Sequence, residues 1–429
     1  MTNINIDSSD FTDSSSAQRK AGHRKYLQLL ALFGAYILSN VFRTLPAIMA
    51  PDITEEFSLS LQSAGYFLVA FNLAFGGMQL FVGVAIDRFQ PMRTVAVLLA
   101  CTGAGSMISV IAPNFMTLVV CQILIGVGCS AIFLATLVFI SSHFASTKFA
   151  RLSGLALGLG GIGMMLTASP LALIVDAWSW RGAFVVISLL ALILTAVCFL
   201  LRDERASATR PSETLIESFS LLVLLLRRRG TLGILFMGAV GYAAMIAVRG
   251  FWIVPLLTKR HGLSLVDSAH VVLLLSVGMT LSPLIYGWVD PGDVRRRRLI
   301  LVSALTMAIA IFALGSELSE SFPATIIAIV AIGAVSGFTI LQYADVRYSF
   351  EPQVIGRALS LLNMSVFLGA AIVQMLCGFV SGFAMSLNTD PLSLAFLTLG
   401  LTVTGGCIAF ALLPSPRRSA TRTMTRDGT

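Results

Sequence analysis

Long apolar segments alternate with short polar ones along almost the whole chain. A bilayer core about 30 Å thick requires roughly 20 apolar residues per spanning helix, and twelve segments reach that length. The pattern therefore predicts an all-α integral membrane protein. We expect its transmembrane helices at 27–50, 60–86, 93–112, 115–141, 152–175, 182–201, 231–257, 265–289, 299–316, 322–344, 358–383 and 391–413.

The longer polar segments divide the chain into two sets of six spans. Residues 1–26 are rich in Ser and Asp and lack the basic start and short apolar core of a signal peptide, so we expect a disordered, uncleaved tail. We expect one six-helix bundle at 27–201, a linker at 202–230, a second six-helix bundle at 231–413 and a C-terminal tail at 414–429.

Composition and charge agree with this architecture. The chain is 56% hydrophobic and 12% charged, with a mean hydropathy of +0.88, which excludes an ordinary soluble domain. The net charge of +8 does not indicate a nucleic-acid partner, because 24 of the 29 basic residues fall in segments on one side of the predicted membrane. This distribution places the linker and both tails in the cytoplasm. We expect a multi-pass protein of a bacterial inner membrane.

Scarce residue types recur at equivalent places in the two sets of spans. Gly83 with Asp87 recurs as Gly287 with Asp290, after a slightly shorter interval. This recurrence predicts two pseudo-symmetric, parallel repeats. Four further pairs are separated by 206 positions: Tyr36 and Tyr242, Arg43 and Arg249, Phe144 and Phe350, and Arg151 and Arg357.

Two arginines, Arg43 and Arg249, are the only charges placed well inside the predicted spans. A charge at the bilayer centre costs roughly 2.5–3.5 kcal/mol on insertion scales, so intramembrane arginines normally face a cavity. No acidic residue lies deep enough to neutralise them, so we expect an anionic substrate. Tyr36, Asn40 and Arg43 share one helix face, and Tyr242 repeats Tyr36. The alternative, that each arginine extends to the outer interface, stays open.

The loop after the second span reads GVAIDRFQPMR at residues 83–93. This stretch is similar to the most diagnostic motif of the major facilitator superfamily, Gly-x-x-x-Asp-Arg followed by a basic residue. The resemblance covers the whole hydrophobic chain and implies a transporter with two six-helix bundles. It implies a gating motif in which a glycine allows close helix contact and an acid lies near a helix N-terminus or an arginine of the other half. Its residues here are Gly83, Asp87, Arg88 and Arg93.

Within that superfamily, residues 40–93 are most similar to the anion-transporting branches, the anion:cation symporters and the organophosphate:phosphate exchangers. The paired arginines resemble those of the exchangers, which bind phosphate. The symporters have an acid before the first arginine, where this chain has Phe42, and an arginine and a glutamate on the fourth helix, where this chain offers Gln122. We place Gln122 in the substrate site. Three modes of transport stay open: exchange, uniport, and coupling to an ion through another group.

The remaining residues show no pattern for catalysis or metal binding. The four histidines are scattered, and the six cysteines lie within spans without metal-ligand spacing, so we expect no cofactor, no metal and no enzymatic activity. The glycines at 154–163 and the Ser169–Pro170 step indicate close helix packing. The hypothesis is a monomeric secondary transporter that moves a small organic anion, a carboxylate or phosphate-bearing metabolite, by alternating access. An exporter of drugs or other amphipathic compounds and a transport-inactive receptor of the same fold are the alternatives.

Overall fold

The computed structural model describes residues 8–59, 61–166, 171–202, 224, 229–351, 354–382, 384 and 389–413. The regular structure of these residues is helical, with a π turn at Val248–Trp252 and a 3₁₀ turn at Glu317–Glu320. The seventeen α-helices of the described chain are α1 Ser8–Glu56, α2 Leu61–Gly77, α3 Gln79–Phe89, α4 Pro91–Val110, α5 Phe115–Cys129, α6 Ile132–His143, α7 Ser146–Leu166, α8 Ala172–Trp178, α9 Trp180–Leu201, α10 Arg229–Ala247, α11 Ile253–His261, α12 Leu265–Val289, α13 Asp293–Gly315, α14 Phe322–Val335, α15 Phe338–Ser349, α16 Ile355–Gly382 and α17 Pro391–Leu412.

These helices account for the predicted number of membrane spans. Among the described residues, eleven helical stretches are long and apolar enough to cross a membrane. The second predicted span forms a bent pair, Ala70–Gly77 and Phe81–Phe89, whose two parts meet at 56°. Counting this pair as one span gives twelve, which confirms the predicted all-α membrane architecture.

Two spans are broken at positions that the internal repeat relates. The fourth span consists of α5 and α6, interrupted at Ser130, and the tenth consists of α14 and α15, interrupted at Ser336, which lies 206 positions later. Each serine hydroxyl donates to a carbonyl three residues earlier, that of Val127 at 2.6 Å and that of Gly333 at 2.7 Å. A hydroxyl that bonds to the preceding turn bends a helix. The shared break supports the repeat.

The described part of the segment expected to be an N-terminal tail continues the first helix. Helix α1 begins at Ser8, although the apolar span within it begins only at His23. Helix propagation is far easier than nucleation, so a helix formed in the span can extend beyond it. The predicted C-terminal tail, most of the linker and the Ser169–Pro170 step lie outside the described residues.

At one end of the bundle the N-terminal and C-terminal halves pack against each other. Helix α3 contacts α16, and α7 contacts α12. A glycine permits each approach: a Cβ added to Gly83 would lie 2.5 Å from Ser360 Cβ, and one added to Gly154 would collide with the Pro283 carbonyl. We call this end, which carries Asp87 on α3, the latch end.

At the opposite end, ion pairs join helices of the same half. Arg181 binds Glu56 at 2.6 Å, and Arg260 binds Asp390 at 2.6 Å. The hydrogen bond from Arg181 holds the pKa of the Glu56 carboxyl below its ordinary value of 4.5. We call this end, which carries Glu56 and Asp390, the mouth end. Here each half is stabilised by its own contacts.

Candidate functional site

A cavity of about 260 Å³ lies between the two halves of the chain. Its walls come from α1, α2, α6 and α7 on one side and from α10, the π turn, α12, α15 and α16 on the other, and most of its surface is apolar. Five of the six residues predicted for the substrate site line this one cavity: Tyr36, Asn40, Arg43, Tyr242 and Arg249.

Arg43 lies on α1 against two aromatic rings. Its guanidinium carbon is 4.5 Å from the ring centroid of Phe75 and 5.3 Å from that of Phe367, which belongs to the other half. Cation–π attraction offsets part of the hydration that the charge has lost. Its buried Nε has no hydrogen-bond partner among the described residues. The guanidinium therefore retains hydrogen-bonding capacity beside the cavity.

Arg249 is carried by the π turn Val248–Trp252, between α10 and α11. A π turn adds a residue to one helical turn and is frequent at functional positions. Pro255, shortly after the turn, has no N–H to donate, so a preceding carbonyl lacks its α-helical partner and the irregular turn is favoured. The Nε of Arg249 donates to Ser276 Oγ on α12 at 2.8 Å. This bond fixes the arginine to its own half while the side chain lines the cavity.

The charge in the cavity is unbalanced. Among the residues that the structure describes there, Arg43 and Arg249 are the only charged side chains, and no carboxylate joins them. Charges interact more strongly in a protein interior than in water, because the interior screens them less. Two uncompensated arginines therefore favour the entry of an anion over that of a cation or a neutral molecule.

The predicted uncharged residues of helices α1 and α10 line the same cavity from its two opposite sides. The rings of Tyr36 and Phe133 are 4.9 Å apart, and Tyr242 lies 6.1 Å from Phe367. The Nδ2 atom of Asn40 donates to the Tyr36 carbonyl at 2.9 Å. These three side chains stand beside the arginines, as the helix spacing predicts.

Gln122 takes a different place from the one predicted. It lies on α5, is 1% exposed and does not line the cavity. Helix α5 packs against α2 and α4, so its polar residue faces neighbouring helices. The fourth span reaches the cavity through Phe133 on α6 instead. Because this span is apolar around its whole circumference, the sequence does not show which face is turned inward.

The four residues of the predicted gating motif lie in two environments at the latch end. Asp87 Oδ2 lies 3.4 Å from Nε of Arg357 in the other half, and Gly83 packs against α16. Arg88 and Arg93 are exposed. The glycine and the acid therefore take part in the contact between halves, while the two basic residues lie at the surface.

The family comparison decides the class of protein to which this fold and motif belong. The chain matches the Major Facilitator Superfamily over residues 32–372, which is most of its length. The chain belongs to the Major Facilitator Superfamily. It is a multi-pass membrane transporter that acts on a small molecule.

Two relatives and one solved structure show how this superfamily member compares with known proteins. It is 21% identical over 445 residues to the probable L-galactonate transporter of Escherichia coli (strain K12), covering 96% of this chain and 97% of the relative. It is 26% identical to monocarboxylate transporter 11 of Mus musculus, covering 85% and 81%. The resemblance to the superfamily and to its anion-transporting branches is thereby confirmed. The proton:xylose symporter XylE, bound to 6-bromo-6-deoxy-D-glucose, has a TM-score of 0.73 at 13% identity, covering 92% of this chain and 96% of that one, and shows the shared fold.

In this superfamily member a buried network, not predicted from the sequence, joins the halves between the cavity and the latch end. Asn363 Nδ2 donates to Gln79 Oε1 at 2.5 Å, and the Tyr343 hydroxyl donates to Asn363 Oδ1 at 2.8 Å. Ser360 Oγ donates to the Gln79 carbonyl at 2.5 Å. The scarcity of carboxamides in the spans singles out Gln79 and Asn363 in the sequence. Their pairing is not visible there, since 284 positions separate them.

Proposed function

We propose that this transporter moves a small organic anion, bearing a carboxylate or a phosphate, across the membrane by alternating access. The observation that carries the proposal is a single cavity with one arginine from each half and no carboxylate among its described lining residues. The planar fork of a guanidinium suits the oxygens of such anions. An anion held by Arg43 and Arg249 would contact both halves at once.

A bridging anion would bias the motion of the two halves. A ligand shifts a conformational equilibrium only through its different affinity for the two states. The anion is bound more tightly when the arginines approach each other, so it favours closing the mouth end over the loaded cavity. The contacts of Gln79 and Asp87 at the other side of the cavity then have to separate for release. Rocking of the two halves about a central site is the corresponding movement.

We place the latch end on the cytoplasmic side of the membrane. Basic residues concentrate on the cytoplasmic face of membrane proteins, and exposed arginines cluster at this end. With this orientation both termini are cytoplasmic and the mouth end faces outward. The exposed arginines in question are Arg88, Arg93, Arg295 and Arg298.

The second candidate function is export of amphipathic compounds, which the largely apolar cavity surface favours. A neutral or cationic compound gains nothing from Arg43 and Arg249, and two unpaired charges in a membrane interior are costly. An anionic substrate explains both the charges and their placement on opposite halves. Anion transport is therefore the better-supported proposal.

Uptake by the purified full-length protein in proteoliposomes tests the proposal, with radiolabelled acetate, benzoate, succinate and glycerol phosphate as probes. Arg43→Lys and Arg249→Lys keep the charge but lose the fork, and we expect each to reduce uptake at least about tenfold. Arg298→Lys, at an exposed arginine of the latch end, is the matched control and should transport like the wild type. Undiminished uptake by a double Arg43→Ala, Arg249→Ala variant would contradict the mechanism.

A further inference from the structure

The residues that line the cavity indicate which class of anion the protein transports. We propose that the cargo is a monocarboxylate with a largely apolar body and few hydroxyl groups, in contrast to a polyhydroxylated sugar acid. This inference rests on the proposed function, because it assumes anion binding at Arg43 and Arg249. It is carried by the hydrogen-bond donors that are already engaged, by those that remain, and by the apolar wall.

The serine and threonine hydroxyls that line the cavity donate to backbone carbonyls of their own helices. A hydroxyl has one hydrogen to donate. A cargo hydroxyl that needs a donor would therefore have to replace a bond within a helix. The bonds are Ser276 to Val272 at 2.8 Å, Thr280 to Ser276 at 2.8 Å, Ser336 to Gly333 at 2.7 Å and Thr339 to Ser336 at 3.1 Å.

One N–H of each carboxamide and one tyrosine hydroxyl of the cavity are engaged as well. Asn40 donates to the Tyr36 carbonyl at 2.9 Å. Asn363 donates to Gln79 at 2.5 Å, and the Tyr343 hydroxyl donates to Asn363 at 2.8 Å. A sugar acid would bring several hydroxyls into a cavity whose serine, threonine and Tyr343 hydroxyls already donate within the protein. Each buried hydroxyl without a partner lowers affinity roughly tenfold.

The strongest donors that remain are the guanidinium groups of Arg43 and Arg249. Arg249 engages its Nε with Ser276 and keeps its terminal nitrogens for other partners. Arg43 lies against Phe75 and Phe367 and has an unbonded Nε among the described residues. This set of donors matches one carboxylate head group.

The rest of the wall is apolar and adaptable. Methionine side chains repack around irregular apolar bodies, and aromatic side chains offer flat faces to a ring. A small pocket with a few convergent polar groups on an apolar surface is typical of a site for an amphipathic molecule. The apolar residues of this kind that line the cavity are Phe75, Phe133, Met164, Met165, Met245, Met279 and Phe367.

Three probes test the inference: benzoate, benzamide and D-glucuronate. Benzoate has the carboxylate and the apolar body, benzamide lacks the charge, and glucuronate joins the charge to several hydroxyls. Binding is measured from the shift in melting temperature of the purified full-length protein as each probe is titrated. We expect benzoate to bind at least about tenfold more tightly than either of the others.

The outcomes separate this inference from the proposed function. Glucuronate binding as tightly as benzoate would overturn the apolar cargo and leave anion transport intact. Benzamide binding as tightly as benzoate would overturn anion recognition at the arginines, and the inference with it. Failure of benzoate to bind would overturn the apolar cargo, whatever glucuronate does.

A pair of variants at one wall position gives a second test. Met279→Gln keeps the length of the side chain and adds a polar group, so we expect benzoate affinity to fall at least about fivefold. Met279→Leu keeps the wall apolar and should bind benzoate within about twofold of the wild type. Melting temperatures without ligand report any effect of either change on folding. Unchanged benzoate affinity in Met279→Gln would overturn contact between the apolar body and this wall.

Discussion

The two ends of this transporter are held together in opposite ways. At the latch end, Asp87 of the N-terminal half lies 3.4 Å from Arg357 of the C-terminal half. At the mouth end, Glu56 binds Arg181 of its own half at 2.6 Å. A pair within one half can persist while the halves rock, whereas a pair between halves has to break. In the proposed rocking movement, the contacts that must open therefore lie at the latch end.

The latch end contains two contacts between the halves at positions that the internal repeat relates. The two contacts differ in their chemistry. Between α3 and α16 there is an ion pair. Between α7 and α12, Arg151 is the counterpart of Arg357, but its guanidinium carbon lies 3.2 Å from the ring centroid of Trp288. Asp290, the acid of the second repeat, accepts two hydrogen bonds from Arg296 of its own half, each 2.8 Å long. The second copy of the motif is shorter, and its acid binds an arginine of its own half.

Of the variants at the two ends, Gly83→Val is expected to reduce uptake most. A Cβ at Gly83 would lie 2.5 Å from Ser360 Cβ and 3.3 Å from the Gly356 carbonyl. Because α16 would have to move away, the closed latch end is destabilised, and we expect uptake into proteoliposomes to fall about 10- to 100-fold.

Gly378→Val is the matched control for that variant. It lies on α16, and nothing is within 4 Å of an added Cβ there. We expect uptake close to that of the wild type. Equal losses in the two variants would mean that close contact at Gly83 has no special importance for the latch end.

Asp87→Asn and Asp290→Asn separate a pair between halves from a pair within one half. Removing one partner of a buried pair costs about 3 kcal/mol, and Arg357 and Arg296 are 6% and 0% exposed. We expect Asp87→Asn to open the latch end and reduce uptake about tenfold. Asp290→Asn should lower the melting temperature without opening the latch end.

Thiol labelling measures this opening. A Ser360→Cys substitution places a reporter in the α3–α16 contact, and Cys101, the exposed native cysteine of the described chain, is first replaced by Ser. Faster labelling is expected with Asp87→Asn and an unchanged rate with Asp290→Asn. Equal acceleration by both would remove the distinction between the two pairs.

Trp288→Leu weakens the second contact of the latch end. A cation–π pair contributes about 0.5–1 kcal/mol at a partly exposed site, so we expect uptake to change only about two- to fivefold. Trp178→Leu, at a tryptophan that is 71% exposed, serves as the control and should have no effect. A loss as large as that of Asp87→Asn would show that the two latch contacts are equivalent.

Much of the fold and part of the candidate site follow from local features of the sequence. Apolar length gives the spans, because each must cross the bilayer core. The cost of a charge in a span makes Arg43 and Arg249 conspicuous, and the structure places both in one cavity. Their role in binding stays a prediction that the variants above test.

The features that escaped prediction depend on helix packing. Spans that are apolar on all sides do not show which face is turned inward. The sequence therefore predicts Gln122 in the cavity and does not identify Phe75 and Phe367 as neighbours of Arg43. The bond between Gln79 and Asn363 depends on the approach of α3 and α16. Such contacts are set by two distant segments together, and neither segment specifies them alone.

Glu56→Gln at the mouth end is expected to have the smallest effect. Its pair with Arg181 is more than a third exposed and lies within one half, so we expect a loss of at most about 1 kcal/mol of stability and unchanged uptake.

The bond from Arg181 lowers the pKa of the Glu56 carboxyl below 4.5. Its contribution is therefore complete above that value and is lost as the pH falls through the lowered pKa of the folded state. Melting curves should place the wild type above the variant at about pH 7 and bring the two together in acid. Slower uptake by the variant would show that a mouth-end pair also limits the movement of the halves, and the contrast between the two ends would then fail.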